Sequence, residues 1–285
     1  MATADAQDRD DPLLVADHLA LPNAAYLIGA LLTFDALTGR TPTALGAGFV
    51  AALAVAVYLL DRVKIRDTRF DPADRLAHPA RHAFMRRHAG GVRILMVAAA
   101  LVAAICGRFL SPWTLLLIPA AFVGVFLYAR PRERGWRPKD VFGLKNLAVA
   151  ASVTALAVAT AWLTEPPRLA DALPIGALLL IVFGDAAACD LDDVAGDRPF
   201  RTRTFVVTLG DLAAWRIIVG CHAIAAIASL IAAAASITPW APAMTLGPGL
   251  LVVTLLIRAA RPRLYRPVID LRLAPVAIVA LLLTS

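Results

Sequence analysis

The sequence predicts an all-α polytopic membrane protein with nine transmembrane helices, and three observations carry that prediction. Of the 285 residues 60% are hydrophobic and 17% charged, with a mean hydropathy of +0.72. Soluble domains run at about 45–50% apolar and about 25% charged, so both values depart in the same direction. The apolar residues also come in long runs, close to the roughly 20 residues that cross about 30 Å of hydrocarbon. Finally, the basic residues divide between the two sides of those runs in the manner of a membrane topology.

The runs lie near 19–38, 42–61, 92–109, 112–129, 142–163, 170–189, 212–236, 242–259 and 267–284. Gly39, Pro42, Pro112, Pro166–Pro167, Pro239 and Pro242 punctuate them. Backbone polar groups in lipid must be satisfied internally, and Ala/Leu/Val runs without strict alternation favour helices over barrel strands. Asp270 and Arg272 stand in the first turns of the ninth run. With alternating topology, all but three of the 28 Lys and Arg residues fall on the side of the N-terminus; the exceptions are Arg40, Arg108 and Arg168. Positive residues stay cytoplasmic, so the expected orientation is N-in and C-out, in a bacterial inner membrane.

The same partition explains the net charge of +7. It assigns anionic membrane lipids as partners and removes nucleic acid from consideration. Residues 1–18 form a polar N-terminus rich in Asp, with no basic n-region and no h-region, so the first run is expected to act as an uncleaved anchor. Residues 19–285 are read as one membrane domain. Cys106, Cys189 and Cys221 offer neither a disulfide framework nor zinc spacing.

Against so apolar a background the acids are informative. After the sixth run the chain reads Asp185-Ala-Ala-Ala-Cys-Asp190-Leu-Asp-Asp193-Val-Ala-Gly-Asp197-Arg. Asp190, Asp193 and Asp197 stand at i, i+3 and i+7, on one face of a helix, while Asp192 points elsewhere and Asp185 lies well round the wheel. Three converging carboxylates repel one another unless a cation neutralises them. Mg²⁺ takes such hard oxygen ligands and commonly bridges one or two carboxylates to substrate phosphates. Arg198, Arg201 and Arg203 follow at once, and guanidinium groups suit phosphate oxygens.

Asp190-x-x-Asp193-x-x-Gly196-Asp197, followed by Arg203-Thr204 and Leu209-Gly210, resembles the second aspartate-rich motif of the UbiA superfamily of intramembrane prenyltransferases. The chain departs from that pattern at Cys189, Arg201, Phe205 and Val206, where the family carries Lys, Gly, Leu and Pro. Nine helices with acidic loops after the second and sixth, about 61–90 and 185–210, also match the family's layout over nearly the whole chain. The family's first motif, N-D-x-x-D-x-x-x-D, is degraded here. In one register Asp67 and Asp71 match its last two aspartates, with Val63 and Lys64 in place of the Asn and first Asp. In the other, Asp61 is the first Asp and Lys64 occupies the middle position.

The resemblance implies two related four-helix halves plus one helix around a central cavity, and a Mg²⁺-dependent site in which Asp67, Asp71, Asp190, Asp193 and Asp197, with Asp61 as a further ligand, hold metal over a prenyl diphosphate. Lys64, Arg81, Lys145, Arg198 and Arg203 are the expected diphosphate contacts, and Tyr58, Asn146 and Phe183 the expected cavity lining. Lys145 at the start of a span reads equally well as a lysine snorkelling to headgroups. The implied reaction ionises an allylic diphosphate and transfers the prenyl group to a lipophilic acceptor, often an aromatic ring. A terpene cyclase using the same ionisation, a non-catalytic relative and a small-solute transporter are the alternatives. His78, His82 and His88 read as solvated surface, Asp35 as an interfacial acid, and Trp215, with Tyr58 and Phe183, as an aromatic flanking the acidic loops.

Overall fold

A computed structural model describes residues 12–63, 72–128, 141–200, 202–262 and 265–284. Asp67, Asp71 and Lys64 of the first motif lie outside the described residues. Each apolar run folds as a helix, satisfying its backbone within the segment. The helices are α1 (Pro12–His18), α2 (Leu21–Thr38), α3 (Ala44–Val63), α4 (Pro72–Ala77), α5 (Pro79–Arg87), α6 (Ala89–Leu110), α7 (Leu117–Tyr128) and α8 (Leu144–Trp162). They continue as α9 (Ala172–Asp197), α10 (Phe205–Leu209), α11 (Asp211–Ala234), α12 (Trp240–Met244), α13 (Leu250–Ala260) and α14 (Arg266–Leu282). A single π-turn, Thr245–Gly249, joins α12 to α13.

Among the described residues seven segments are long and apolar enough to cross a membrane on their own. The fourth predicted run is shorter: Pro112 opens a 3₁₀ turn, Pro112–Leu116, and the α-helix behind it has 12 residues. The ninth has 17 and carries Asp270 and Arg272. The most consequential difference in boundaries is at α9. Its polar end reads as a loop by composition, yet the helix runs unbroken through Asp197, and the acidic motif forms its last turns.

Nearly all of α2 is buried, and it packs against α3, α8, α9 and α14. It is the central post of the bundle. Gly39 in the left-handed region (φ 64°) ends it, donating its N–H back to Ala36. Lipid tails are as apolar as a leucine core, so helices associate in a membrane through close packing at small residues. The α2–α14 seam shows this directly. A Cβ on Gly29 would lie 2.6 Å from the Ala274 nitrogen and 2.9 Å from the Leu273 carbonyl carbon, against backbone that has no rotamer to yield. Gly29→Val is expected to force the two helices apart and cost about 1–3 kcal/mol. Thermal unfolding in detergent checks this, and an unchanged melting temperature rejects the close approach.

Candidate active site

The polar ends of α2, α3, α8, α9 and α14, with α5 beside them, surround a cavity of about 250 Å³. The acidic trio of α9 lines it. One carboxylate oxygen from each of Asp190, Asp193 and Asp197 lies within 4.8 Å of the other two, the convergence that i, i+3, i+7 spacing dictates. Three side chains from distant parts of the chain, a lysine, an arginine and a histidine, meet this trio. Gly143, in the left-handed region at φ 73°, turns the chain into α8, so that Lys145 and Asn146 fall in its first turn. Lys145 Nζ lies 2.6 Å from Asp190 and 3.7 Å from each of Asp193 and Asp197. Asn146 Nδ2 donates to Asp190 at 2.9 Å. At the N-terminus of α14 Arg266 Nη2 donates to Asp193 at 2.7 Å, and His78, between α4 and α5, places Nε2 3.0 Å from the same carboxylate.

The structure places four residues that the sequence left open or assigned no role. Lys145 points into the trio and does not snorkel. His78 is a partner of the site and not solvated surface, because the packing of α4 against α9 carries it over the acidic motif. Asp35, at the opposite end of α2, is only 4% exposed and packed inside the protein. Trp215 packs edge-on against Tyr265 with Arg258 over its ring, away from the cavity.

The remaining predicted residues divide. Asp61, Tyr58, Arg81 and Asn146 line the cavity with the trio. Arg198 and Arg203 are exposed and belong to no part of its lining. Phe183 packs against Phe205, ring centroids 5.8 Å apart, instead of facing the cavity. Asp192, as its wheel position requires, turns from the trio and accepts the backbone N–H groups of Tyr265 and Arg266 at 2.9 and 2.7 Å, fixing the start of α14.

The opposite wall, from α2, α9 and α14, is polar to a depth that sequence reading missed. Tyr26 Oη donates to Asp185 at 2.9 Å, and Arg272 pairs with the other oxygen of that carboxylate. Arg272 Nη1 donates to Thr254 at 2.8 Å, and His222 Nε2 lies 3.2 Å from Asp185. Nearer the entrance, Arg62 donates to Asn23 at 2.8 Å, and Asn23 to Asp270 at 3.4 Å. Arg62 also reaches the Asp17 backbone carbonyl and, at 3.9 Å, its carboxylate. Burial alone would push the Asp17 carboxyl up; the contact with His18 and the charges of Arg62, Arg81 and Arg266 outweigh it and hold the group at about 2. The signal available in the sequence was the presence of Asn23, Asp185 and Arg272 inside apolar runs, where polar groups rarely occur without a partner.

A second, apolar groove of about 480 Å³ runs between α3, α7 and α8. Tyr58, Asp61, Tyr128, Val149 and Val153 line both spaces, so the groove opens directly onto the polar cavity. The donor set suits a hard divalent cation. Asp197 Oδ2 and Asn146 Oδ1, both buried, have no hydrogen-bond partner among the described residues, leaving oxygen acceptors unsatisfied beside the trio.

The fold has solved counterparts. A UbiA homologue from Archaeoglobus fulgidus bound to GPP and Mg²⁺ superposes at a TM-score of 0.61, covering 93% of this chain and 95% of that one at 15% identity. The chain has the UbiA fold. The same homologue bound to DMAPP and Mg²⁺ superposes at 0.57, with 15% identity and coverage of 93% and 95%. A digeranylgeranylglyceryl phosphate synthase superposes at 0.55, with 12% identity and coverage of 94% and 96%. No protein-family model matches the sequence, and no curated protein matches it. In this UbiA fold the acidic trio sits at the end of a helix, and the apolar groove begins beside it.

Proposed function

We propose that the protein is an integral-membrane prenyltransferase that ionises an allylic prenyl diphosphate and transfers the prenyl group to a lipophilic acceptor. The observation that carries this reading is the joining of a charged cavity to an apolar groove through one throat, lined by Tyr58 and Tyr128. A prenyl diphosphate has the same two parts, a charged head and an apolar tail, meeting at the reacting carbon. The solved neighbours bound to GPP or DMAPP with Mg²⁺ support the substrate class and the cofactor.

In this reading Asp190, Asp193 and Asp197 hold Mg²⁺, with Asp61 and the first-motif residues Asp67 and Asp71 as further carboxylates. Bound Mg²⁺ supplies Lewis-acid neutralisation of the departing diphosphate. Arg81 and Lys145 are the cavity cations for phosphate oxygens. The allylic C–O bond breaks with its electron pair leaving on the diphosphate. The cation at C1 then lies in the throat, where the faces of Tyr58 and Tyr128 stabilise positive charge. The acceptor forms the new bond to C1 and releases a proton. The groove excludes water, which would otherwise capture the cation. The basic side of the bundle, with the acidic trio, faces the cytoplasm of a bacterial inner membrane.

Purified protein in detergent, given labelled geranyl diphosphate, is expected to release diphosphate with Mg²⁺ and not with EDTA. Absence of metal-dependent release overturns the reading, and product analysis separates transfer from cyclisation. The groove makes a further prediction. Gly124 lines the groove, and a Cβ built on it meets nothing within 4 Å, so a side chain there has open space to enter. Gly124→Leu is expected to shorten the preferred prenyl chain, lowering kcat/KM for the longest accepted diphosphate about tenfold relative to dimethylallyl diphosphate. Equal ratios in both proteins reject the groove as the tail site.

A further inference from the structure

Lys145 stands where an ion bound by the three aspartates would stand. Its Nζ is within 4 Å of all three carboxylates, and their nearest oxygens lie within 4.8 Å of one another. An ammonium and a divalent cation cannot share a space of that size without strong repulsion. Lys145 is also firmly placed. Its side chain is 16% exposed, it lies two residues from the turn at Gly143, and its neighbour Asn146 is bound to the same Asp190.

The ammonium nevertheless satisfies the trio incompletely. It has three donors, against six carboxylate oxygens. Arg266 and His78 take up part of Asp193, but Asp197 Oδ2, 3.7 Å from the ammonium, and Asn146 Oδ1 stay buried without a hydrogen bond among the described residues. An oxygen cluster with a resident charge and spare acceptors is built to exchange one cation for another.

We infer that Lys145 is a resident counter-ion: it neutralises the acidic trio in the ligand-free protein, and a divalent cation enters only by displacing it. This rests on reading the trio as a metal site. It adds that the ligand-free protein keeps its metal affinity low through one lysine, and that removing this lysine strengthens metal binding where loss of an ordinary site residue would weaken it.

The test uses Mn²⁺ alone, titrated into the full-length protein in detergent with free Mn²⁺ read by electron paramagnetic resonance. Lys145→Met is expected to bind Mn²⁺ more tightly than the unaltered protein, on the order of tenfold or more. Lys145→Arg, which keeps the charge, is expected to bind it as weakly as the unaltered protein. Without its counter-ion the trio repels itself, so Mn²⁺ should raise the melting temperature of Lys145→Met, or of Lys145→Gln if that folds better, by more than it raises that of the unaltered protein. Mn²⁺ affinity equal to or below that of the unaltered protein in both uncharged variants overturns the inference. No prenyl substrate is present, so a failure of the prenyltransferase reading appears in the diphosphate-release assay and a failure of this inference appears here.

Discussion

Asp193→Ala is expected to lower metal-dependent diphosphate release by about 10²–10³, the usual loss when an electrostatic contact made to the developing charge is removed. Asp193 sits at the centre of the trio and alone contacts Lys145, Arg266 and His78 together. Asp193→Asn keeps the shape and removes the charge, and should lose release to a similar extent. Asp192→Ala is the informative comparison, one residue away in sequence. Its carboxylate holds the backbone at Tyr265 and Arg266, so its loss should lower the melting temperature and leave Mn²⁺ affinity intact. Diphosphate release that survives in Asp193→Ala sinks the site; equal metal affinities across all three variants do so as well.

Arg272→Met is expected to be the most destabilising change in the bundle, at about 3–5 kcal/mol, because it strands a buried carboxylate. Asp185 is 2% exposed and Arg272 7%, and the two pair directly within the helical core. The Tyr26 hydroxyl and His222 remain beside Asp185 in the variant, but neither reproduces the guanidinium contact. Adding Asp185→Asn to Arg272→Met removes the uncompensated charge and should recover a large part of the loss. Thermal unfolding of the two single variants and the double variant forms a cycle. Additive costs would mean that the two residues do not stabilise each other.

The fold was legible because hydrocarbon thickness imposes a length on each span, and seven of the nine predicted segments answer to it in both length and hydropathy. Pro112 and the charged start of α14 mark the two that do not. The acidic trio was legible because helical spacing alone brings Asp190, Asp193 and Asp197 to one face. What approaches that face was not. Lys145, His78 and Arg266 lie between 45 and 115 residues from Asp190 or Asp193 along the chain, except that Lys145 and the motif share the start and end of adjacent spans. Only the packing of α4, α8 and α14 around α9 brings them together. Arg198 and Arg203 illustrate the converse. Closeness in sequence to the motif suggested a phosphate contact, but once α9 ends, the chain carries both to the surface.

The seam between α2 and α14 sets a schedule for the protein's manufacture. Asn23 and Asp270 share a hydrogen bond across 247 positions, and the two helices carrying them form one wall of the cavity. A ribosome that has inserted α2 through α13 has produced the acidic trio and the groove, but not this wall. Until α14 enters the bilayer the cavity is open on the side of Asn23 and Tyr26, and Arg272 has yet to reach Asp185. The polar cavity therefore gains its α14 wall, with Arg266 and Asp270, only after the acidic trio and the apolar groove have been made.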